Sequence, residues 1–218
     1  MSPFLKAFDG RQVVEYRVKT IGSKDEIYQC ERFEINHFQW RCLVKPVAYG
    51  YMGYIKGEGL YILMCCEETE PLRRCKNHRD MVCKDSAMEA FLAFADPGTT
   101  VTNDAMYLNF EVNANGAMYA KYGYKAKGRE FLSEETYADT GVKAKILEDR
   151  WQASFLIPEG FLRDACGWNP DGSGKDMYCN FYKIAEDDKI EHYVSFAPIG
   201  SETPNFHLPE FFAKVRMQ

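Results

Sequence analysis

Alternation of apolar and polar side chains is clearest between residues 83 and 116, where two runs read as strands divided by a turn-rich loop. In the first, Met88, Ala90, Leu92 and Phe94 form one apolar face, and Glu89 and Phe91 point the other way. In the second, Leu108, Phe110 and Val112 are the apolar set, and Tyr107, Asn109 and Glu111 face away. A period of two is the pattern of strands with one buried face. The loop over 96–104 holds Pro97-Gly98 and Asn103-Asp104, residues that break strands and begin turns. Comparable runs recur at 13–19, 28–38, 48–55, 60–67, 118–121, 142–148, 151–157, 177–184, 191–196 and 213–217. Turn signals such as Gly57-Glu58-Gly59 and Asn113-Ala114-Asn115-Gly116 separate them. Short strands at this spacing predict an all-β fold, a single-domain antiparallel β-sandwich over residues 1–218, rather than βαβ units. Residues 1–25 read as an extension packed on that domain. Helices are expected only at 158–164 and as a turn at 209–212, each with Pro first. The acidic stretch 131–139 reads as a further helical excursion.

Composition narrows the function classes. Aromatic residues make up 15% of the chain, which favours strands and supplies surfaces for stacking. A formal net charge of −5 argues against a nucleic-acid partner, whose footprint would be basic. No run approaches the roughly 20 apolar residues of a membrane helix, and the first residues have no apolar core of a signal peptide. Eight cysteines occur without a Cys-x-x-Cys pair, and Cys65 and Cys66 would face opposite sides of one strand. They read as reduced, buried thiols, and the expected compartment is the cytoplasm.

The chemistry lies on the faces that turn away from the core. In 177–184, Cys179 and Phe181 point inward and leave Tyr178, Asn180 and Tyr182 on the other side. If this strand shares a sheet with the first pair, one face carries Glu89, Phe91, Tyr107, Asn109, Glu111, Tyr178, Asn180 and Tyr182. Sugars are recognised by such mixtures, because rings stack on C–H faces while amides and carboxylates bond to hydroxyls. Glu89 and Glu111 would also oppose each other at ~5 Å between Cβ atoms if the hairpin is symmetric. Two carboxylates so close need a neutralising partner, for which Arg73 and Arg74 are the candidates. A glycoside hydrolase using Glu89 and Glu111 is therefore a rival reading. Asp85 and Glu89 are not a rival pair, at ~13 Å along one strand against the roughly 5–9.5 Å such enzymes use. Trp168, in a loop rich in Gly, Asp and Asn, is a further stacking candidate, whereas Trp40 and Trp151 suit core positions. Asp171 and Asp176 match no calcium-loop spacing. His37, His192 and His207 read as structural, His207 ordering the C-terminal turn. A sandwich that serves only as a scaffold or partner-binding surface is the other rival.

Several segments in order resemble a known family. They are Asp85-Ser86-Ala87-Met88-Glu89-Ala90-Phe91, then Tyr107-Leu108-Asn109-Phe110-Glu111-Val112-Asn113 with Gly116, and Trp151 leading to Ile157-Pro158. Asn180-Phe181-Tyr182-Lys183, His192-Tyr193-Val194-Ser195-Phe196-Ala197-Pro198 and Phe206-His207-Leu208-Pro209-Glu210-Phe211-Phe212 follow. Together they resemble carbohydrate-binding modules of family 9, in a stand-alone bacterial branch, from about His37 onward. The resemblance implies a β-sandwich that binds a mono- or oligosaccharide without catalysis, linked to carbohydrate catabolism, with calcium in some members. By position, Glu89 and Asn109 match residues that hydrogen-bond the sugar. Val82 and Phe196 stand where sugar-binding members carry tryptophan, and Tyr107 stands at a sugar-contacting arginine. The expected ligand surface is thus Glu89, Asn109, Tyr107, Phe196, Tyr178, Asn180, Trp168 and Glu111.

Overall fold

The computed structural model describes residues 14–125 and 127–218, together with the backbone of two short segments before them. Those segments are β1 (Ala7–Phe8) and β2 (Arg11–Gln12), which pair with each other. Next come β3 (Glu15–Ile21), β4 (Arg32–Ile35), β5 (His37–Gln39), β6 (Ala48–Ile55) and β7 (Gly59–Cys66). The middle of the chain forms β8 (Ala87–Ala95), β9 (Met106–Asn113), β10 (Met118–Tyr124), β11 (Gly128–Phe131) and helix α1 (Glu134–Thr140). It ends with β12 (Lys143–Ile146), β13 (Trp151–Pro158), helix α2 (Glu159–Cys166), β14 (Asp176–Ala185), β15 (His192–Ser195) and β16 (Ala213–Met217).

The sheet curls on itself into two layers. One runs β11-β10-β9-β8-β14-β16-β3 and the other β3-β6-β7-β13-β12, with β15 on β14 and β4 on β6. β3 belongs to both, because its first residues pair with β16 and its last with β6. Both of these pairings are parallel, set into a sandwich whose other pairings among the described residues are antiparallel, as expected. Residues 15–21 are therefore the seam between the layers and not an added extension; Val13, the first residue of the predicted 13–19 strand, lies outside the described residues. The predicted strand over 28–38 begins only at Arg32, since 3-10 turns occupy Lys24–Gln29.

Between the layers lies the main core. Phe33 from β4 stacks on Phe181 from β14 at 3.7 Å, and Phe110 from β9 stacks on Phe155 from β13 at 5.2 Å. These contacts cross from one sheet to the other, and each buried ring contributes on the order of 1.5–3 kcal/mol. Alternation decides who enters: Met88, Ala90, Leu92 and Phe94 of β8 all reach this core. Cys66 points into it, whereas Cys65 joins a smaller cluster on the outer face with Ile27. All eight cysteines are free thiols. Among the described residues no helix is long and apolar enough to cross a membrane.

Two local features matter below. At the end of α2, Gly167 takes φ 68°, and the Trp168 N–H donates to the Leu162 carbonyl at 3.1 Å. That turn folds the indole back under the helix into the core, where it meets Tyr54 edge-on at 6.1 Å. Beside the core, Lys183 is wholly buried. Its ammonium donates to Ser86 Oγ at 2.7 Å, meets His192 Nε2 at 2.8 Å and lies 3.6 Å from Glu68 Oε2. Glu68 also accepts from the Trp151 indole N–H at 2.9 Å. Burial, and then the Lys183 charge, pushes His192 down to about 4, so its imidazole is neutral and can accept from the lysine.

Candidate functional site

The outer face of β9-β8-β14 carries a second apolar cluster built from Phe91, Tyr107, Tyr178 and Tyr182. Loops wrap over it because these phenols have bonds to give. The Tyr182 hydroxyl donates to the Phe206 carbonyl at 3.2 Å, with the two rings stacked at 4.0 Å. The Tyr178 hydroxyl donates to the Thr99 carbonyl at 3.0 Å. At one end the loops leave a cleft of about 220 Å³, with Glu89, Glu111, Tyr119, Arg129, Glu186 and His207 among its walls. That volume is below the range of pockets for drug-sized ligands and has room for about one sugar ring.

Glu89 on β8 stands directly opposite Glu111 on β9, and on its other side opposite Tyr182 on β14. The two carboxylates are 2% and 7% exposed. Asn109 links the acids to a base: its Nδ2 donates to Glu111 Oε1 at 2.8 Å, and its Oδ1 accepts from Arg129 Nη1. The guanidinium lies over the Tyr107 ring, 4.8 Å from its centre, a cation–π placement that fixes its plane. The Tyr107 hydroxyl in turn meets His207 Nδ1 at 3.2 Å. Two polar atoms in this arrangement are buried with no partner, Glu89 Oε2 and Arg129 Nε.

Burial governs the protonation of the site. It lifts Glu89 well above the usual carboxylate range, with the charge of Glu111 adding to the effect. Burial likewise raises Glu111 to about 7, against the opposing pull of Asn109 and Arg129. The two carboxyls titrate as a unit. Burial and then Arg129 push His207 down to about 3, which keeps its ring neutral. The result is a cleft that sets buried acceptors, a guanidinium and aromatic rings side by side, the groups that bind a polyhydroxylated ring.

The expected site residues divide. Glu89 and Glu111 line the cleft. Asn109 and Tyr107 lie beneath it with no exposure and act through Arg129 and His207. Tyr178 and Asn180 share the face but are spent on loops: Asn180 donates to the Ala197 carbonyl at 3.1 Å and accepts from the Ala197 N–H at 2.9 Å. Three expectations are corrected. Phe196 turns to the inter-sheet side, 5.9 Å from Tyr16 and 5.8 Å from Phe181, and Trp168 is buried in the core. Neither borders the cleft. Nor do Arg73 and Arg74 neutralise the acids, since they bond to Asn115 and Asp85. Arg129 is the residue that sequence reasoning missed. Its strand is four residues long with exposed positions, and only the hairpin signal after Tyr124 hints that it folds back beside β10. The acids of the 167–176 loop do not converge: Asp171 accepts from Ser173 and Asp176 from Lys214. Among the described residues no group of His, Cys, Asp and Glu is placed to hold a metal ion.

A wider hollow of about 750 Å³ lies beside Pro46, Leu72 and Ile190. Arg74 is matched there with Asp187 at 3.1 Å, and none of the buried polar atoms left without a partner lies in its walls, so the smaller cleft, which holds two of them, is the better binding site.

Comparison with known proteins agrees with the fold. A family model described as carbohydrate-binding family 9 matches residues 56–217. No curated protein matches the chain. Among solved structures, a candidate carbohydrate-binding protein from Bacteroides uniformis superposes with a TM-score of 0.75 at 22% identity, covering 94% of this chain and 100% of its own. A family 9 carbohydrate-binding module from Caldicellulosiruptor kristjanssonii in complex with glucose gives 0.59 at 14% identity, covering 94% and 95%. A family 9 module from the same organism in complex with cellotriose gives 0.57 at 14%, covering 94% and 93%.

Proposed function

The chain belongs to carbohydrate-binding family 9, and from that premise we propose that it binds a mono- or oligosaccharide, without catalysis, in the Glu89–Arg129 cleft. One observation carries the reading: an acceptor, Glu89 Oε2, and a donor, Arg129 Nε, are buried in the cleft wall without partners. Leaving such groups unpaired costs about 1–3 kcal/mol each, a cost that sugar hydroxyls remove. Neighbours in complex with glucose and cellotriose support the ligand class. The carboxylate pair does not suit hydrolysis. Glu89 and Glu111 are cross-strand neighbours on one wall, and a glycosidase needs its two acids flanking the scissile bond.

The proposal extends to a place in carbohydrate breakdown in the cytoplasm. Buried thiols such as Cys66 and Cys179 are pushed up by burial and stay protonated and unreactive, which suits a reducing setting. Calorimetric titration with glucose and cellotriose tests the central reading. Binding is expected, and Arg129→Ala is expected to weaken it at least about tenfold, the loss of one charge-assisted hydrogen bond. Absence of binding to any of a panel of neutral sugars, with the circular dichroism of the folded chain intact, overturns it.

A further inference from the structure

The cleft sets two opposed acids beside a single guanidinium. Its ionisable walls are Glu89, Glu111, Glu186 and Arg129. Glu186 is tied outward to Lys84 at 2.8 Å. Arg129 directs Nη1 at the Asn109 oxygen, and its Nε meets no acceptor. That leaves two opposed carboxyls, which burial inclines to hold protons and which a cation seated beside them would return to the charged form. Glu111 accepts one hydrogen bond, from Asn109, while Glu89 Oε2 is buried, unpartnered and set in the cleft wall. His207, the imidazole in the wall, is neutral and is spent on Tyr107.

A neutral hydroxyl facing this pair brings one donor and no charge. An ammonium brings three donors and one positive charge. Cross-strand Cβ atoms lie about 5 Å apart, so a nitrogen seated between the two carboxyls would reach both in charge-assisted bonds, the stronger kind. Calcium or magnesium is a poorer fit, since each needs six or more oxygens, and among the described residues no group of His, Cys, Asp and Glu is placed to hold a metal ion. Phe206, Tyr119 and Tyr193 border the same space and supply apolar surface for the C–H side of a pyranose.

We propose that the cleft selects a saccharide bearing a free amine, an amino sugar whose ammonium bridges Glu89 and Glu111. This inference rests on the carbohydrate-binding reading above and specifies its ligand. The test titrates the full chain with glucosamine, glucose and N-acetylglucosamine at neutral pH. Glucosamine is expected to bind about tenfold tighter than glucose, the gain of one charge-assisted contact. N-acetylation, which keeps the nitrogen and removes its charge, is expected to abolish the gain. In Glu111→Gln the preference should fall toward unity. If that variant does not fold, the three-ligand comparison on the unaltered protein decides alone. Glucose binding as tightly as glucosamine, or the acetylated sugar binding as tightly as the free amine, overturns the amine selectivity and leaves saccharide binding standing. Failure of all three to bind overturns both.

Discussion

Replacing Glu111 by glutamine tests the central electrostatic claim, that two carboxyls are held face to face out of water. The amide keeps the shape, and its oxygen can still accept from Asn109 Nδ2. A carboxyl raised in the fold is protonated more readily there than in the unfolded chain, so its contribution is complete at low pH. It is lost as pH rises through the folded value, between the ordinary 4.5 and about 7 for Glu111. At about 1.4 kcal/mol for each tenfold change in proton affinity, that climb amounts to ~3 kcal/mol of destabilisation in alkaline solution. The wild-type curve alone will not display it. His192 and His207, pushed down to about 4 and about 3, pull the opposite way, since each loses stability as pH falls below about 6.5. The informative quantity is the difference between variant and parent. Urea unfolding followed by tryptophan fluorescence should give equal stabilities near about pH 5, with the variant ahead by ~3 kcal/mol near about pH 8.5 and m unchanged. A difference that stays constant across that range refutes the buried pair.

Further expectations concern packing. Trp168→Ala should cost about 3–5 kcal/mol in chemical unfolding while sugar affinity measured by calorimetry is unaltered, because the indole lies in the core and not at the cleft. Lys183→Met strands the Glu68 carboxylate and should cost about 3–5 kcal/mol; adding Glu68→Gln should recover part of the loss. Gly59 holds φ 140°, and a Cβ there would collide with the Ile157 carbonyl. Gly59→Ala should therefore lower stability by at least ~2 kcal/mol, read as a fall in the thermal midpoint.

Much of this architecture is legible in residue order. The opposition of Glu89 and Glu111 follows from alternation in two strands about one loop, because a period of two leaves no freedom once the register is set. The inward set of β8 and the outward set of β9 and β14 follow in the same way. What alternation cannot express is what covers a face. Tyr178, Asn180 and Tyr182 do point away from the core, yet loops from 96–105 and 197–212 bury them, and loop paths leave no periodic trace. Trp168 is misread for a related reason. Its polar neighbours suggest exposure, while a single left-handed glycine reverses the chain and sends the indole inward. Arg129 escapes notice because a four-residue edge strand has too few positions for a pattern, and its role is fixed by the Tyr107 ring beneath it.

The strand that joins the layers also sets a timetable. Arg216 holds Glu15 at 3.1 Å although 201 residues separate them, and Lys214 aligns with Glu15 in the same ladder. During translation the first of these segments emerges early and waits, its hydrogen-bonding edge open, until nearly two hundred further residues have been made. At roughly 5–20 residues per second that wait lasts on the order of ten seconds or more, so both sheets can assemble while still unhinged from each other. Synthesis of β16, and not the formation of either sheet, then becomes the event that closes the molecule.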